Sequence, residues 1–555
     1  MVKRFFSIGF FTAMLAQASL AAVVINVNSK DGDTISGDHQ FKVTVESTNL
    51  VTNVEFYIGD NLTGTDESTP YTFDVDTLAQ KEGDFVVTFA AYTNEGESAK
   101  KTLRLKIDNG IGKGVVFHVQ AGTDALVVRK WDDAIKSARV ALKIDPKDNS
   151  ARLLMARANF GKGVLDLAQK FAEDVTLDQP TNRQALDLLS AIGLQRAFNA
   201  FNSSRDQKTT LATMTEAMKK AAESRRASLD AAVDAFGPLT DSNAVAYADM
   251  MIDSARYSLA IKALQPIFDK SQSDTSVANR LIFAKIRAGR LRDAASTMEM
   301  YRRFGSPDGY GFVLKAIIDQ FSNSLKASEE AEKEALLNDP TNIGVRFGQA
   351  YLALVRDRTS AFSQIILDLD KTEGASPITN NYLSTRAFLM NDYEEARKRF
   401  EQALLAEPAS YDTYVERANQ TIASTFGQNL NEEQTKLRYD FAQAYLEAGL
   451  AAKPESFEVL TALTIVHIMA GRQAEAVRFG SAAVAAGPEY GPAHYALAGA
   501  YRMARRTDDA RKAMEAAAKI DSRLGGRPSP TGDVAWQFFY KNGRIPYIPA
   551  PRSAE

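Results

Sequence analysis

A frame of small residues closed by a proline, returning at a 34-residue interval, constrains this chain more than any other feature of its sequence. Ala134, Ala138, Ala141 and Pro146 are spaced by four, three and five residues, and the spacing returns at Ala168, Ala172, Val175 and Pro180. Ala396, Phe400, Ala403 and Pro408 repeat it, followed by Ala442, Leu446, Gly449 and Pro454. Ala476, Gly480, Ala483 and Pro488 come next, then Ala510, Met514, Ala517 and Ser522. In the middle, Ala294, Met298, Tyr301 and Ser306 lead to Ala327, Ala331, Ala335 and Pro340. Steps of four and seven return to one face of a helix, and a small side chain belongs where a neighbouring helix comes closest. Proline then ends the second helix of each pair. One pair cannot bury its apolar face alone, so the pairs have to stack into a solenoid. The frame covers 124–522, about ten or eleven units, with an irregular stretch at 183–238. From Pro408 to Pro454 the step is 46, which is 34 plus 12, and an insertion near 427–434 belongs in a loop or a lengthened helix pair.

The last unit shows the pattern best: HYALAGAYRMARRTDDARKAMEAAAKID, His494 to Asp521, carries Leu497, Ala498 and Tyr501 on its first helix and Ala510, Met514 and Ala517 on its second. Interval and residues resemble the tetratricopeptide repeat, and Ala462 to Gly471 and Tyr382 to Asn391 are similar first helices. The family's aromatic residue at the start is replaced here by His494. The resemblance implies an all-α superhelical solenoid whose first helices line a concave groove for an extended or helical peptide. Carried over residue by residue, it places Arg157, Asn381, Tyr495 and Arg502 in that groove. There an Arg or Asn bonds a peptide backbone or a carboxylate. The competing reading of each is a solvated helix face.

Ahead of the array, from Ala22 to about Asp108, the period is that of strands. Val23, Ile25 and Val27 alternate, as do Phe41, Val43 and Val45, and further runs lie at 54–58, 71–75, 85–92 and 103–107. About seven short strands in under 90 residues predict an all-β sandwich. The segment VEFYIGDNLTGTDESTPYTFDVDT, Val54 to Thr77, with AAYTNEGESA, Ala90 to Ala99, resembles bacterial immunoglobulin-like modules. That resemblance implies a spacer or docking unit at 22–108, with polysaccharide binding as the alternative. Phe56, Tyr71, Phe73 and Phe89 stand at alternating positions and are expected in the core. Residues 109–123, with Gly110, Gly112 and Gly114, read as a linker and hinge.

Residues 1–21 read as a secretory signal: Lys3 and Arg4 precede a short apolar run from Phe5 to Leu15, and Ser19 and Ala21 set cleavage before Ala22. The expected location is periplasmic, cell-surface or extracellular. The formal charge of −3, which becomes −5 without Lys3 and Arg4, carries no basic block, which argues against nucleic acid as a partner. The absence of cysteine excludes disulfides, thiolate metal sites and cysteine nucleophiles. His39, His118, His467 and His494 have no neighbour at metal-binding spacing, so no metal or cofactor is expected, and packing is the expected role of His467 and His494. Phosphate-loop, nucleophile-elbow and zincin motifs are missing too, and the pairs Glu394-Glu395 and Asp508-Asp509 read as helix-start charges. The tail at 523–555 holds Trp536, Phe538, Phe539 and Tyr540, then Pro546, Tyr547, Pro549 and Pro551. It is expected either to cap the last repeat or to dock on another protein. The whole predicts a noncatalytic exported scaffold for protein or peptide partners, with a polysaccharide-binding accessory protein second and an enzyme third.

Overall fold

The computed structural model describes residues 23–203, 207–374 and 376–552, so the signal expected at 1–21 lies outside the described residues. The chain forms two compact units, Met1–Val164 and Leu165–Glu555. Among the described residues no helix is long and apolar enough to cross a membrane.

The first unit opens with eight strands: β1 (Val24–Val27), β2 (Thr34–Ile35), β3 (Asp38–Glu46), β4 (Val51–Ile58), β5 (Asn61–Asp66), β6 (Tyr71–Asp76), β7 (Gly83–Thr93) and β8 (Ser98–Ile107). One sheet has the order β1-β3-β6 and the other β2-β8-β7-β4-β5. Alternation along the strands turns one side chain in two inward. The register that opposes Phe41 to Phe73 and Phe56 to Phe89 gathers these four rings at centroid distances of 5.1 to 5.9 Å. Those rings and Tyr71 are thus buried in the sandwich.

Three helices complete the unit: α1 (Gly114–Val127), α2 (Trp131–Ile144) and α3 (Asn149–Lys162). Residues 109–123, read above as a linker, are instead helical from Gly114 onward. The two glycines at its edge, Gly110 and Gly114, take left-handed backbone at φ +71° and +82°, and the β-branched valines after them masked the helix. Polar contacts join the sandwich to α2. The Arg139 guanidinium donates to Asp38 at 2.7 and 2.8 Å and to Asp76 at 2.6 Å, and Lys136 donates to the Ser36 hydroxyl at 2.9 Å.

The second unit begins with α4 (Leu165–Asp178), α5 (Arg183–Ser203) and α6 (Gln207–Phe236). Helix pairs follow: α7 (Ala244–Asp253) with α8 (Tyr257–Lys270), α9 (Thr275–Arg287) with α10 (Leu291–Phe304), and α11 (Gly309–Phe321) with α12 (Leu325–Asn338). Next come α13 (Ile343–Val355) with α14 (Thr359–Glu373), α15 (Pro377–Leu389) with α16 (Tyr393–Ala406), and α17 (Tyr411–Ala423) with α18 (Glu432–Ala452). The last pairs are α19 (Phe457–Met469) with α20 (Gln473–Ala486) and α21 (Gly491–Met503) with α22 (Thr507–Ile520), before the short α23 (Gly532–Phe538).

The 34-residue step is visible in the backbone. First helices start at 275, 309, 343, 377 and 411, and second helices at 257, 291, 325, 359 and 393, each 34 apart. The turn inside each pair carries one left-handed residue on the same step: Ala255, Gly289, Asn323, Asp357 and Asn391. The added 12 residues fall between the starts of α17 and α19, where 457 minus 411 is 46, and α18 is 21 residues long.

Ala134, Ala138, Ala141, Ala168, Ala172, Ala396, Ala403, Ala476, Ala483 and Ala517 are fully buried, with Phe400 and Ala510 nearly so. Pro146, Pro180, Pro408 and Pro488 each lie two residues past the last residue of α2, α4, α16 and α20. One stretch of the frame is displaced. Ser328, not Ala327, is the buried counterpart of Ala294, since 294 plus 34 is 328, and Ala327 is half-exposed. The Ser328 hydroxyl satisfies itself by donating to the Ala316 carbonyl at 2.6 Å, so a polar residue fits where alanine is usual. Replacing Ala403 by Arg is expected to destabilise the unit by about 3 kcal/mol or more, because a cation has no partner between packed helices. Chemical unfolding measures this, and a near-neutral result would place the frame elsewhere.

The irregular stretch 183–238 is built from α5 and α6, at 21 and 30 residues, which pack against each other along their lengths. Gly193 makes the close approach possible, since a Cβ there would lie 2.8 Å from the Ala217 carbonyl oxygen. Helix α6 also packs on α18, far along the chain. Arg225 donates to Glu407 at 2.9 and 3.0 Å and to Asp187 at 2.9 Å, and Arg226 donates to the Ala451 carbonyl at 3.1 Å. The array of the second unit is thereby closed upon itself.

Candidate functional site

Helices α9, α11, α13, α15, α17, α19 and α21 form the inner layer of the second unit, and the end of the chain lies against them. After α22 comes an exposed joint, Gly525–Pro528, and then α23, which packs on α19 and α21. Trp536 stacks between Phe426 and Tyr540 at 5.0 and 4.9 Å, and Phe538 meets Tyr495 edge-on at 5.2 Å. The chain turns once more through Phe539–Gly543 and runs on without regular structure from Arg544 to Arg552.

Proline determines how this last stretch is held. Pro546, Pro549 and Pro551 have no N–H to place in a ladder, yet the buried carbonyls still require donors. Side chains from three helices and from the residue before a fourth supply them. The Tyr490 hydroxyl on the approach to α21 donates to the Gly543 carbonyl, and Tyr351 on α13 donates to that of Arg544 at 2.7 Å. Arg287 on α9 donates to the Pro546 carbonyl at 2.9 Å and Tyr310 on α11 to the Pro549 carbonyl at 2.6 Å. The Ile545 N–H is directed at the Glu458 carboxylate of α19.

Side-chain contacts are added at three tail residues. Arg544 pairs with Glu416 of α17 at 3.2 Å and lies over the Tyr540 ring at 4.1 Å. The Ser410 hydroxyl donates to the Tyr547 hydroxyl at 3.0 Å. Arg552 reaches Asp249 at 3.2 Å and also pairs with Asp253. Beneath Arg544, Ile545 and Tyr547 remains a cavity of about 50 Å³ bordered by Asn381, Glu416, Asn419 and Glu458.

Arg287 is the hub of the site and is 2% exposed. It grips Asp412 with both terminal nitrogens at 2.8 and 2.7 Å, donates Nε to the Tyr257 hydroxyl at 3.1 Å and bonds the Tyr411 hydroxyl. Burial opposes its charge, but Asp412, Tyr257 and Tyr411 hold its pKa well above the ordinary value. The Lys453 ammonium stands 4.4 Å from the centroids of both Tyr257 and Tyr411. Burial, then the Arg287 charge, pulls the Lys453 pKa down, while burial and Asp412 push that of Glu458 up. Burial likewise raises the phenols of Tyr310, Tyr351 and Tyr490, which keeps them protonated as carbonyl donors.

Arg157 lies half-buried on α3 of the first unit. Of the other three proposed groove residues, two are met by the chain's own tail and the third borders the cavity beneath it. Asn381 on α15 borders the cavity under Arg544, Tyr495 on α21 is covered by Phe538, and the exposed Arg502 donates to the Ser529 carbonyl at 3.3 Å. Sequence reasoning missed Arg287, Tyr310, Tyr351, Ser410, Glu416, Glu458 and Tyr490. One signal for them was present: an isolated charge inside an otherwise apolar helix, as Glu458 is within FEVLTALTIVHIM.

Among the described residues no group of three His, Asp or Glu side chains is placed to hold a metal ion. The His494 ring donates to the Pro488 carbonyl at 3.0 Å. His467 is buried, lies parallel to Phe479 at 5.1 Å, and neither ring nitrogen has a partner among the described residues. Burial, helped by Arg472, lowers its pKa to about 4. Its folded pKa lies below the unfolded 6.5, so the stability it permits is complete above pH 6.5 and is lost as the pH falls towards 4. The loss is expected to reach roughly 3 kcal/mol. His467→Phe should flatten the pH dependence of thermal unfolding across that window, and an unchanged slope would assign the loss to other groups.

Residues 23–96 match the family model described as a bacterial Ig domain. No curated protein matches the chain. Among solved structures, the fibronectin(III)-like modules of CbhA from Clostridium thermocellum align over 15% of this chain and 94% of theirs, at 24% identity and a TM-score of 0.14. Yeast Tom70 aligns over 73% of this chain and 92% of its own, at 14% identity and a TM-score of 0.33. Cut9–Hcn1 of the APC/C aligns over 75% and 84%, at 10% identity and a TM-score of 0.38. With the eight-stranded sandwich and the helix pairs on a 34-residue step, the architecture of this chain is an immunoglobulin-like module followed by a tetratricopeptide-type helical solenoid.

Proposed function

We propose that this protein is a noncatalytic, exported scaffold that binds protein partners, with the inner layer of the second unit as its peptide groove. One observation supports this reading above the others: four main-chain carbonyls of the tail, at Gly543, Arg544, Pro546 and Pro549, are captured by side chains from separate parts of the repeat array. Such contacts suit an extended polypeptide, which always presents carbonyls, and no small substrate. The sandwich acts as a second docking unit. Its ion pairs to α2 make it a fixed extension of the first helices and not a tethered bead.

The residues at 1–21 and the immunoglobulin-like module support export, to the periplasm, the cell surface or the extracellular space. Crosslinking in intact cells, followed by mass spectrometry of the linked peptides, tests both parts. Crosslinks to other exported proteins through either unit are the expected result. Recovery of the protein alone, uncrosslinked and in the cytoplasm with its first 21 residues intact, would overturn the reading.

A further inference from the structure

We propose that the groove of the second unit is a receptor for an extended Arg-x-Pro-Tyr segment, and that a protein partner presenting one takes the place held by Arg544–Tyr547. The inference rests on the scaffold reading and specifies the chemistry of the partner.

The contacts divide into two kinds. Tyr310, Tyr351, Tyr490 and Arg287 bond carbonyls, which any sequence offers. Selection therefore falls on the side chains that the groove reads. Arg544 is read by Glu416, and Tyr547 by Ser410 and by the Arg287 guanidinium 6.0 Å from its ring centroid. Between them Pro546 removes an N–H where no acceptor is needed and biases the backbone to the extended form.

Charge supplies an independent argument. The groove contributes three carboxylates here, Asp412, Glu416 and Glu458, against two cations, Arg287 and Lys453. Arg544 brings the third cation, and the Glu416 side chain it meets is only 10% exposed. An occupant without a cation at this position leaves a buried carboxylate unpaired, which is strongly unfavourable. The groove is thus built for a basic residue three positions before a tyrosine.

The attachment of the present occupant permits exchange. Gly525, Gly526, Arg527 and Pro528 are all exposed, and the far end at Arg552 is exposed as well. The link at 525–528 is exposed, with the Arg527 side chain turned back over the Phe538 ring at 5.9 Å, so the segment 529–552 meets the groove as a peptide would.

The test uses the full chain with a protease site inserted between Gly526 and Arg527 and cleaved after folding. A fluorescent synthetic peptide of residues 529–552 is then added and its anisotropy followed. The labelled peptide is expected to exchange into the cleaved chain. Peptides with Arg544→Ala or Tyr547→Ala should compete at least about tenfold more weakly than the parent, whereas Lys541→Ala, changed at an exposed pair, should compete like it. Should cleavage unfold the chain, excess 529–552 peptide restores its circular dichroism if the groove is a receptor. Absence of exchange or of restoration, or equal competition by a scrambled peptide, overturns the proposal. In those cases crosslinks of intact cells to other proteins would still uphold the scaffold reading. Specific exchange without any such crosslinks would instead show a groove selective for the chain's own segment and overturn both the scaffold reading and the protein partner.

Discussion

Ending the chain at Arg527 is expected to lower the melting temperature of the second unit by at least about 10 °C. The missing segment buries Trp536, Phe538, Phe539, Ile545 and Ile548, none more than 7% exposed. At about 2 kcal/mol for each large apolar side chain, their loss amounts to roughly 10 kcal/mol as an upper figure. Truncation also uncovers Glu416 and takes the accepting carbonyls from Tyr310, Tyr351, Tyr490 and Arg287. Water replaces those partners in the opened groove, so the apolar term dominates. Differential scanning calorimetry of full-length and truncated chains decides the matter. A melting temperature within about 2 °C of the parent would mean that the segment contributes little to the unit.

Arg287→Met is expected to cost about 3 to 5 kcal/mol, the scale of a buried ion pair broken from one side. Asp412, 9% exposed at its side chain, would keep its charge without the two guanidinium bonds, and the Pro546 carbonyl would lose its donor. Arg287→Lys should recover only a minor part, because an ammonium cannot reproduce the planar fork on Asp412 while also reaching Tyr257 and Pro546. The double variant Arg287→Met with Asp412→Leu should be more stable than Arg287→Met alone, since no charge is then left unpaired. Urea unfolding gives these differences, and proteolysis at Gly525–Pro528 reports in parallel whether the tail has loosened. Equal stability of the single and double variants would show that the pair is not the source of the loss.

Much of the repeat architecture was legible because it rests on local periodicity. Ala396, Phe400 and Ala403 recur wherever a second helix meets its neighbours, and the prolines recur two residues past its end. The turn inside each pair was far less legible. Its left-handed residue falls on the same 34-residue step, but it is Ala255, Gly289, Asn323, Asp357 and Asn391, and glycine marks only one of these. The hydrogen bonds of the turn impose that conformation on whatever residue stands there. Ser328 shows the opposite failure. Alanines at 327 and 331 drew the frame one residue early, whereas the packed position belongs to a serine whose hydroxyl finds a carbonyl within the fold.

The proposed groove residues were less legible still. The resemblance implies that Tyr495 and Arg502 face a foreign peptide, whereas both meet the chain's own tail. Arg287, Tyr310, Tyr351 and Tyr490 share no spacing that a repeat would reveal, because each answers to one carbonyl of an irregular segment and not to a neighbouring helix.

The sequence by itself determined the sandwich, the helix pairs and the small residues between them, since alternation and the 34-residue step are local patterns that dictate which face of each element is buried. Only the tertiary structure decided that α5 and α6 close the array onto α18, and that the aromatic and proline-rich end lies in the groove. The physical reason is that buried carbonyls without neighbouring N–H partners must be met by donors from distant helices, and only the folded array brings such donors within reach.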